Sequence, residues 1–502
     1  MSKSNSFNEL ESRISEILHL GYANSILAWD MRTYMPKKGI NQRGNALAIL
    51  QKLIHKKFTD PKMGELLNAS KSIPDLNTGQ IRELELFERD YQRETKVPTE
   101  LVGKISKKSS FLEHLWVKAK EKSDFSIVKK DLQEMVDLLK KKAEYVDPSR
   151  PAWDVLADEY EPSVYAEQIT SFFVPVRDGT IKLVKKYQDA IKDCYDMPNP
   201  SLLDAPASKD QLIKVNELIL DFLQLDRDRI RVDETEHPFT TGMLDDVRIT
   251  THYLLGQPMA SFTSLMHEAG HGMYDMNLPR EAQFTLRGQH ISMGIHESQS
   301  RFIENIIGKN PSFLEYIFPK LQKLVPSFGA FNTTQFIRAV NAIQPSKIRI
   351  YADEVTYSLH IILRFEIERD LFAQKITVNE LPQIWNEKMD KYLQQEIKND
   401  AEGVLQDTHW YAGLFGYFPD YALGNLYNSQ MLYVMEKQIP DWNKQLRQGN
   451  FSAIKQWLIT NVHNVGNMYD PLPFIEKLSG EPLNPHYFLD YAEMKFGKIF
   501  DF

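Results

Sequence analysis

Residues 258–279 read PMASFTSLMHEAGHGMYDMNLP. Proline is tolerated in the first turn of a helix but ends one further along, and the only prolines here are Pro258 and Pro279. The apolar residues between them recur at helical spacing. This stretch therefore predicts a helix over 259–276.

The predicted helix carries two histidines and a glutamate in a pattern typical of a zinc site. His267 and His271 are four residues apart, so both imidazoles lie on one face and can reach one ion. Glu268 lies beside the first histidine, where a carboxylate can take a proton from water that a metal activates. Gly270 and Gly272 each cost a helix about 1 kcal/mol relative to alanine. We therefore expect a neighbouring backbone or a substrate to approach them closely.

A catalytic zinc site needs a third protein ligand. Tyr274 and Asn277 stand where the extended metzincin pattern has glycine and a third histidine, so the ligand must come from elsewhere. The carboxylates that follow are Glu281, Glu297 and Glu304. Glu281 follows the helix-ending proline too closely to return to the site. Spacing favours Glu297 over Glu304 but leaves both open, because they fall on nearly the same face of the next predicted helix.

Helical periodicity also dominates the rest of the chain. The predicted helices are 7–30, 80–95, 111–145, 161–195, 209–224, 259–276, 290–307, 332–342, 346–374 and 380–398. Segment 228–250 is the best candidate for a few short strands. These patterns favour a mainly α fold forming a single domain over 1–502, with a lobe boundary near the Pro- and Ser-rich stretch 196–208.

The composition limits the class of protein. The 502 residues are 42% hydrophobic and 25% charged, with a net charge of −8, which argues for a soluble globular protein that does not bind nucleic acid. Cys194 is the only cysteine, so an intramolecular disulfide and a thiolate-cluster zinc site are excluded, and we assign it no role. The sequence contains no signal-peptide pattern and no apolar run of transmembrane length, which predicts a cytoplasmic protein that does not interact with membranes.

Six motifs, in order along the chain, resemble the carboxypeptidase Taq family of zinc metallocarboxypeptidases, and none departs from the family pattern. They are His237-Pro238-Phe239, Asp246-Val247-Arg248-Ile249-Thr250, His267-Glu268-Ala269-Gly270-His271, His296-Glu297-Ser298-Gln299, Ile348-Arg349-Ile350-Tyr351-Ala352-Asp353 and Gly403-Val404-Leu405-Gln406-Asp407-Thr408-His409-Trp410. Trp29-Asp30, Thr33 and Met35-Pro36 are also similar to the family.

The resemblance implies zinc ligands His267, His271 and Glu297, and Glu268 as general base. It implies a large, two-lobed helical fold with a few short strands and a deep substrate groove, related to the neurolysin-like peptidases. It further implies one zinc per chain, a homodimer, and release of single C-terminal residues, with broad specificity, from peptides that have a free C-terminus. Cobalt is a chemically reasonable substitute for zinc. The metal site then lies within 259–307, and the substrate-binding and oxyanion segments within 346–424.

A carboxypeptidase must hold a free carboxylate, and the planar fork of arginine suits that task. Arg349 lies in the predicted 346–374 helix, four residues before Asp353, so the alternative is an ordinary ion pair within the helix. The resemblance favours Arg349 as the carboxylate anchor, and Arg248 is the weaker alternative.

An oxyanion needs hydrogen-bond donors beside the metal. His409, Tyr417 and Tyr421 lie in an aromatic, glycine-containing segment, and we interpret His409 and Tyr417 as oxyanion or substrate donors and Tyr421 as a substrate-binding residue. The alternative is that all three are core aromatics. Four aspartates could orient the zinc-bound histidines, and the sequence does not choose among Asp246, Asp275, Asp353 and Asp407. We interpret the remaining histidines of interest as packed or surface residues: His237, His290 and His360.

Two other functions compete with a carboxypeptidase. A zinc oligopeptidase or aminopeptidase could use the same metal motif, but an aminopeptidase often carries a Gly-x-Met-Glu-Asn loop, which the string Gly242-Met243-Leu244-Asp245-Asp246 does not match. A non-catalytic helical scaffold is opposed by the intact Glu268 and its two flanking histidines.

Overall fold

The computed structural model describes residues 3–193 and 200–502. Cys194 and the first part of the predicted lobe boundary, 196–199, lie outside the described residues, and the single-domain organisation stays a prediction. Within the described ranges, no helix combines the length and the apolar character needed to cross a membrane.

The fold is mainly α-helical, as predicted. The helices are α1 Lys3–Thr33, α2 Ile40–Phe58, α3 Pro61–Lys71, α4 Thr78–Lys96, α5 Thr99–Lys122, α6 Ser126–Val146, α7 Ala152–Ala157, α8 Ala166–Ala190, α9 Lys209–Phe222, α10 Pro258–Met276, α11 Met293–Arg301, α12 Pro311–Leu324, α13 Thr333–Val340, α14 Tyr357–Phe372, α15 Leu381–Leu393, α16 Pro419–Gln438, α17 Trp442–Arg447, α18 Ser452–Asn461, α19 Pro471–Ser479 and α20 His486–Phe500. A π-helical turn, Phe302–Ile307, follows α11 directly.

Three short strands lie in the predicted segment 228–250, and the last of them extends one residue beyond it. They are β1 Ile230–Glu234, β2 Thr240–Met243 and β3 Asp246–Thr251. β3 is central, pairing parallel to β1 and antiparallel to β2. Helix α10 packs on β2 and β3, so the sheet supports the helix that carries the histidines.

Two hydrophobic clusters organise the packing. The smaller one joins α1, α3 and α4 through Phe7, Leu10, Ile14, Ile17, Met63, Leu66, Leu67, Leu84 and Phe87. The larger one contains the apolar residues of α10, α11, α14 and α16. The N-terminal helices thus have a small core of their own, and one face of α1 stays available to contact the sheet.

Two long predicted helices are wrong in extent. The 111–145 helix is two helices, because Ser123 adopts a left-handed backbone (φ 52°) that ends α5. The 346–374 helix begins only at Tyr357. Asp353 is the reason, since its carboxylate accepts hydrogen bonds from the backbone N–H groups of Val355 and Thr356 at 2.8 and 2.9 Å. An aspartate bonded in this way holds the chain in a turn and competes with helix formation.

Candidate metal centre and active site

Three potential ligand atoms converge between α10 and α11. His267 and His271 extend from one face of α10, and Glu297 faces them from α11. The Oε2 atom of Glu297 lies 3.6 Å from Nε2 of His267 and 3.5 Å from Nε2 of His271. Zinc bonds of about 2.1 Å at tetrahedral angles place two ligand atoms roughly 3.4 Å apart. The distances from Glu297 to both histidines therefore fit a zinc ion bound by these residues.

Two glycines allow the helices to come this close. A Cβ at Gly270 would lie 2.6 Å from the carbonyl oxygen of Gln299 and from Cα of Ser300, so α11 rests on the bare backbone of α10. On its other side, a Cβ at Gly424 of α16 would lie 3.0 Å from Cγ of Glu297. The expected close approach at Gly270 is thus made by the helix that carries Glu297.

A buried acid fixes the start of α11. The carboxylate of Glu161 accepts hydrogen bonds from Ser292 Oγ at 3.0 Å, the Gly294 backbone N–H at 2.9 Å and the Tyr427 hydroxyl at 2.8 Å. Ser292 in turn caps the helix through the Ile295 N–H. This network sets the position of Glu297, and no sequence motif indicated it.

The charge of Glu297 is stabilised by its neighbours. Burial acts to raise the pKa of this carboxyl, but the charges of His267 and Arg301 hold the pKa below its usual range. Nε of Arg301 donates to Oε1 at 2.8 Å, and Ser300 Oγ donates to Oε2 at 3.1 Å. Glu297 is therefore an anionic carboxylate with one oxygen oriented toward the histidines.

Glu304 lies behind the first histidine. Its Oε2 atom is 2.9 Å from Nδ1 of His267, on the far side of the ring from the Nε2 atom that faces Glu297. Arg301 and Lys309 neutralise the Glu304 carboxylate at 3.3 and 3.5 Å. A carboxylate on the second ring nitrogen fixes the orientation of a metal-binding histidine and strengthens it as a ligand. Glu304 is thus placed to orient His267.

The Glu304→Gln variant is expected to bind zinc about 10- to 100-fold more weakly, because the oriented carboxylate is lost while the three ligands remain. Competition with a chromogenic chelator measures the change. Glu281→Gln is the control, since Glu281 is exposed next to the same segment and its substitution should leave the affinity unchanged. Unchanged affinity in Glu304→Gln would show that the contact has no role at the metal site.

The second histidine has a different partner. Nδ1 of His271 lies 2.5 Å from Nδ1 of His296, and Nε2 of His296 lies 2.9 Å from Asp275 Oδ1. Asp275 is one of the four aspartates predicted to orient a zinc-binding histidine. It contacts His271 through the ring of His296, for which no role was predicted. The other three aspartates have different contacts: Asp246 with Arg248 and Tyr22, Asp353 with backbone amides, and Asp407 with two arginines.

Glu268 faces the same space as the metal-binding atoms. Its Oε2 atom accepts a hydrogen bond from Thr240 Oγ1 at 2.7 Å, so β2 holds the carboxylate in place. His267, Glu268, His271 and Glu297 line one cavity of about 670 Å³. Residues of α1 form part of the opposite wall, among them Leu18, Gly21, Tyr22 and Ser25. No sequence signal placed the N-terminal helix at the site.

The predicted aromatic donors lie at the edge of this cavity. Tyr417 and Tyr421 line it, with ring centroids 5.3 Å apart. His409 lies behind them, its Nε2 atom 3.4 Å from the Tyr421 hydroxyl. Burial lowers the pKa of His409 to about 4 and raises the pKa of Tyr417 and Tyr421 above the usual range. At neutral pH both phenols therefore keep the proton that a donor needs.

Arg349 does not lie in the helix that the sequence predicted. It lies on a short 3-10 turn, Arg349–Tyr351, and the alternative of a helical pair with Asp353 is wrong. Its Nε and Nη2 atoms donate to Asp407 at 3.0 and 2.8 Å, and Nη1 donates to the Tyr357 hydroxyl at 3.1 Å. The guanidinium lies over the ring of Tyr421, 5.2 Å from its centroid. Arg349 is therefore separated from the cavity by Tyr421.

Arg248 is engaged elsewhere. It lies on β3, pairs with Asp246 at 3.0 Å and stacks on Trp29 at 4.2 Å. Tyr22 of α1 donates to the same aspartate, so this cluster fastens the N-terminal helix to the sheet. Three of the predicted site residues do not line the 670 Å³ cavity: Arg248, Arg349 and His409.

Comparison with known proteins gives a consistent result. The family model for carboxypeptidase Taq (M32) metallopeptidases matches residues 9–496. The chain is 36% identical to Carboxypeptidase 1 of Bacillus subtilis over 98% of each chain. It is 34% identical to Thermostable carboxypeptidase 1 of Thermus thermophilus over 97% of each.

Solved structures agree in fold along the whole chain. An M32 carboxypeptidase from Deinococcus radiodurans superposes with a TM-score of 0.95 at 30% identity, covering 99% of this chain and 100% of the other. The Pyrococcus furiosus carboxypeptidase superposes with a TM-score of 0.94 at 32% identity, covering 98% and 99%.

Proposed function

The chain belongs to the carboxypeptidase Taq (M32) family of metallopeptidases, and we propose that it releases single C-terminal amino acids from peptides, with broad specificity, in a zinc-dependent reaction. Membership makes it a metallocarboxypeptidase. The observation that carries the finer proposal is the convergence of His267, His271 and Glu297 within one cavity that Glu268 also lines.

We propose that His267, His271 and Glu297 hold one zinc ion. Two imidazoles and one carboxylate form the donor set of a hydrolytic zinc site that leaves a position open, and cobalt suits the same donors. When bound, the ion supplies Lewis-acid chemistry, activating water and polarising the scissile carbonyl. Glu304 and the His296–Asp275 pair hold the two imidazole rings so that their Nε2 atoms face Glu297.

Glu268 serves as the general base. It accepts the proton of the attacking water and delivers it to the leaving amine, which is the role that a carboxylate beside the first ligand can fill. Thr240 restricts the carboxylate by a hydrogen bond, so the acceptor is oriented before substrate arrives. Residues of α1 line the cavity around it.

The phenols are the proposed donors to the oxyanion. Tyr417 faces the cavity with its proton retained, and a preorganised donor in a partly dry site lowers the energy of the developing negative charge. His409 supports Tyr421 through its Nε2 atom, so it acts on the substrate through that phenol. Tyr421 contributes to substrate binding.

Arg349 is the proposed anchor for the substrate carboxylate, and Arg248 the alternative. The support for Arg349 is its position beneath the Tyr421 ring, which lines the cavity. A carboxylate reaches this guanidinium only when Tyr421 moves aside. Arg248 is bound to Asp246 and covered by Trp29, so it is the less available of the two.

The proposal also covers the cellular location, the substrates and the oligomeric state of the protein. We propose that the protein acts in the cytoplasm on peptides with a free C-terminus, and that it forms a homodimer as the family resemblance implies. The alternative activity is that of a zinc oligopeptidase or aminopeptidase, which would use the same metal-binding residues without an anchor for the C-terminal carboxylate.

The test is a pair of N-blocked peptides that differ only at the C-terminus, one a free acid and the other an amide. We expect single C-terminal residues to be released from the acid, the amide to resist, and chelator to stop the reaction. Mass spectrometry of the products identifies the cleaved bond. Equal cleavage of both peptides would favour the oligopeptidase, and trimming of an unblocked peptide from its N-terminus would favour the aminopeptidase.

A further inference from the structure

A second group of potential metal-binding side chains faces the same cavity, and two of its three members, Asp275 and His296, are the pair that orients the ring of His271. Asp275, His290 and His296 each offer one ligand atom, and these atoms lie within 4.8 Å of one another. We propose that the three residues bind a second divalent transition-metal ion, more weakly than the first site, and that an excess of such an ion inhibits the enzyme through this site.

The donor set suits zinc, cobalt or copper, because imidazole nitrogens and a carboxylate are ligands that these ions bind. Nε2 of His296 and Oδ1 of Asp275 are 2.9 Å apart, a separation that two ligands of one ion can keep. Tetrahedral bonds of about 2.1 Å bring two ligand atoms to roughly 3.4 Å. The His290 ring must therefore move by up to about 1.4 Å to complete such a site.

His290 is free to make that movement. Among the described residues it forms a ring contact with His296, at 5.1 Å between centroids, and it has no hydrogen-bond or ion-pair partner. It also lines the cavity, so an ion from solution can reach it. Within the described part of the chain the ring has no polar partner of its own, and it completes the donor set of Asp275 and His296.

The second site is coupled to the first through a shared hydrogen. The Nδ1 atoms of His271 and His296 are 2.5 Å apart, so only one hydrogen lies between the two rings. An ion on Nε2 of His296 displaces the hydrogen that this atom donates to Asp275, and that proton leaves to solvent. The two rings then share one hydrogen and together carry one negative charge as an imidazole–imidazolate pair, and the cost of removing that proton makes the second ion bind more weakly than the first.

Inhibition follows from the position of the second ion. Asp275, His290 and His296 line the cavity that also contains Glu268 and the first site. A cation at His296 attracts the Glu268 carboxylate and occupies space needed by substrate. This second claim rests on the proposed function, whereas the binding of the ion does not.

The experiment is a calorimetric titration of the metal-free protein with zinc chloride. We expect two ions per chain in the parent, one in His290→Ala and one in His290→Gln, which keeps the side-chain length without the ring. His486→Ala removes an exposed histidine of α20 and should keep two. One ion in the parent, or two ions with unchanged affinity in both His290 variants, would overturn the proposal.

Peptide release measured at increasing zinc concentration tests the inhibition separately. The zinc concentration that halves the activity should rise about tenfold or more in His290→Ala, as expected when one of three ligands is lost. Equal inhibition of parent and variant would refute the inhibitory role. An absence of any peptidase activity would instead refute the proposed function and leave the calorimetric result unaffected.

Discussion

Replacing Glu268 with glutamine is expected to lower kcat about 10²- to 10⁴-fold while the protein keeps its zinc. The amide preserves the shape of the side chain and can still contact Thr240, but it cannot accept a proton from water. At about 1.36 kcal/mol for each factor of ten, the loss corresponds to roughly 3–5 kcal/mol of transition-state stabilisation. Steady-state kinetics with the free-acid peptide and metal analysis of the same sample measure both quantities.

The control for this variant is Glu236→Gln. Glu236 is an exposed acid in the connection between β1 and β2, so its substitution removes the same charge from the same part of the chain without altering the base. It should retain the parental kcat. Full activity of zinc-loaded Glu268→Gln would contradict the assignment of the base.

The Asp407→Asn variant is expected to destabilise the folded protein by about 3–5 kcal/mol, because it leaves two buried guanidinium groups without their common counter-charge. Asp407 accepts hydrogen bonds from Arg349 at 2.8 Å and from Arg364 at 2.5 Å, and the Arg364 side chain is fully buried. Burial acts to raise the pKa of Asp407, but the two guanidinium charges hold it far below its usual range. Chemical denaturation of the zinc-loaded protein measures the change.

The matched control is Asp245→Asn. Asp245 also pairs with two arginines, Arg229 and Arg280, but this cluster is exposed to solvent. Water and salt screen such pairs, so the unfolding transition should stay close to that of the parent. Similar transitions for the two variants would show that the buried pairs around Arg349 do not stabilise the fold.

Helix α10 and its pair of histidines could be predicted because the pattern that indicates them lies within one short stretch of sequence. The spacing of His267 and His271 fixes their common face whatever surrounds the helix. Two glycines with no local benefit indicated a close neighbour, and Gly270 proves to contact the backbone of α11 while Gly272 faces the side chains of Val247 and Ile249.

Spacing alone left both Glu297 and Glu304 open as the third ligand, and the family resemblance favoured Glu297. In a regular helix the two lie on nearly the same face, and spacing alone could not separate them. The chain becomes a π-helical turn at Phe302–Ile307, which changes the face on which later residues lie. As a result Glu297 approaches the Nε2 atoms of both histidines, whereas Glu304 approaches Nδ1 of His267.

Long-range contacts could not be read from the sequence. Helical spacing offered Asp353 as an alternative partner of Arg349, but the carboxylate that binds Arg349, Asp407, is 58 residues away. Tyr22, which brings α1 to the cavity wall, contacts Asp246 at a separation of 224 residues. Such pairs depend on how helices pack, and periodicity within one helix contains no information about that.

The zinc centre is tested most directly by anomalous diffraction at the zinc edge, from crystals of protein loaded with one equivalent of the metal. We expect a single peak bonded to Nε2 of His267, Nε2 of His271 and a carboxylate oxygen of Glu297, at about 2.0–2.2 Å from each. A peak bonded instead to Glu304, or a first ion held by Asp275, His290 and His296 with the α10 histidine pair empty, would contradict this account.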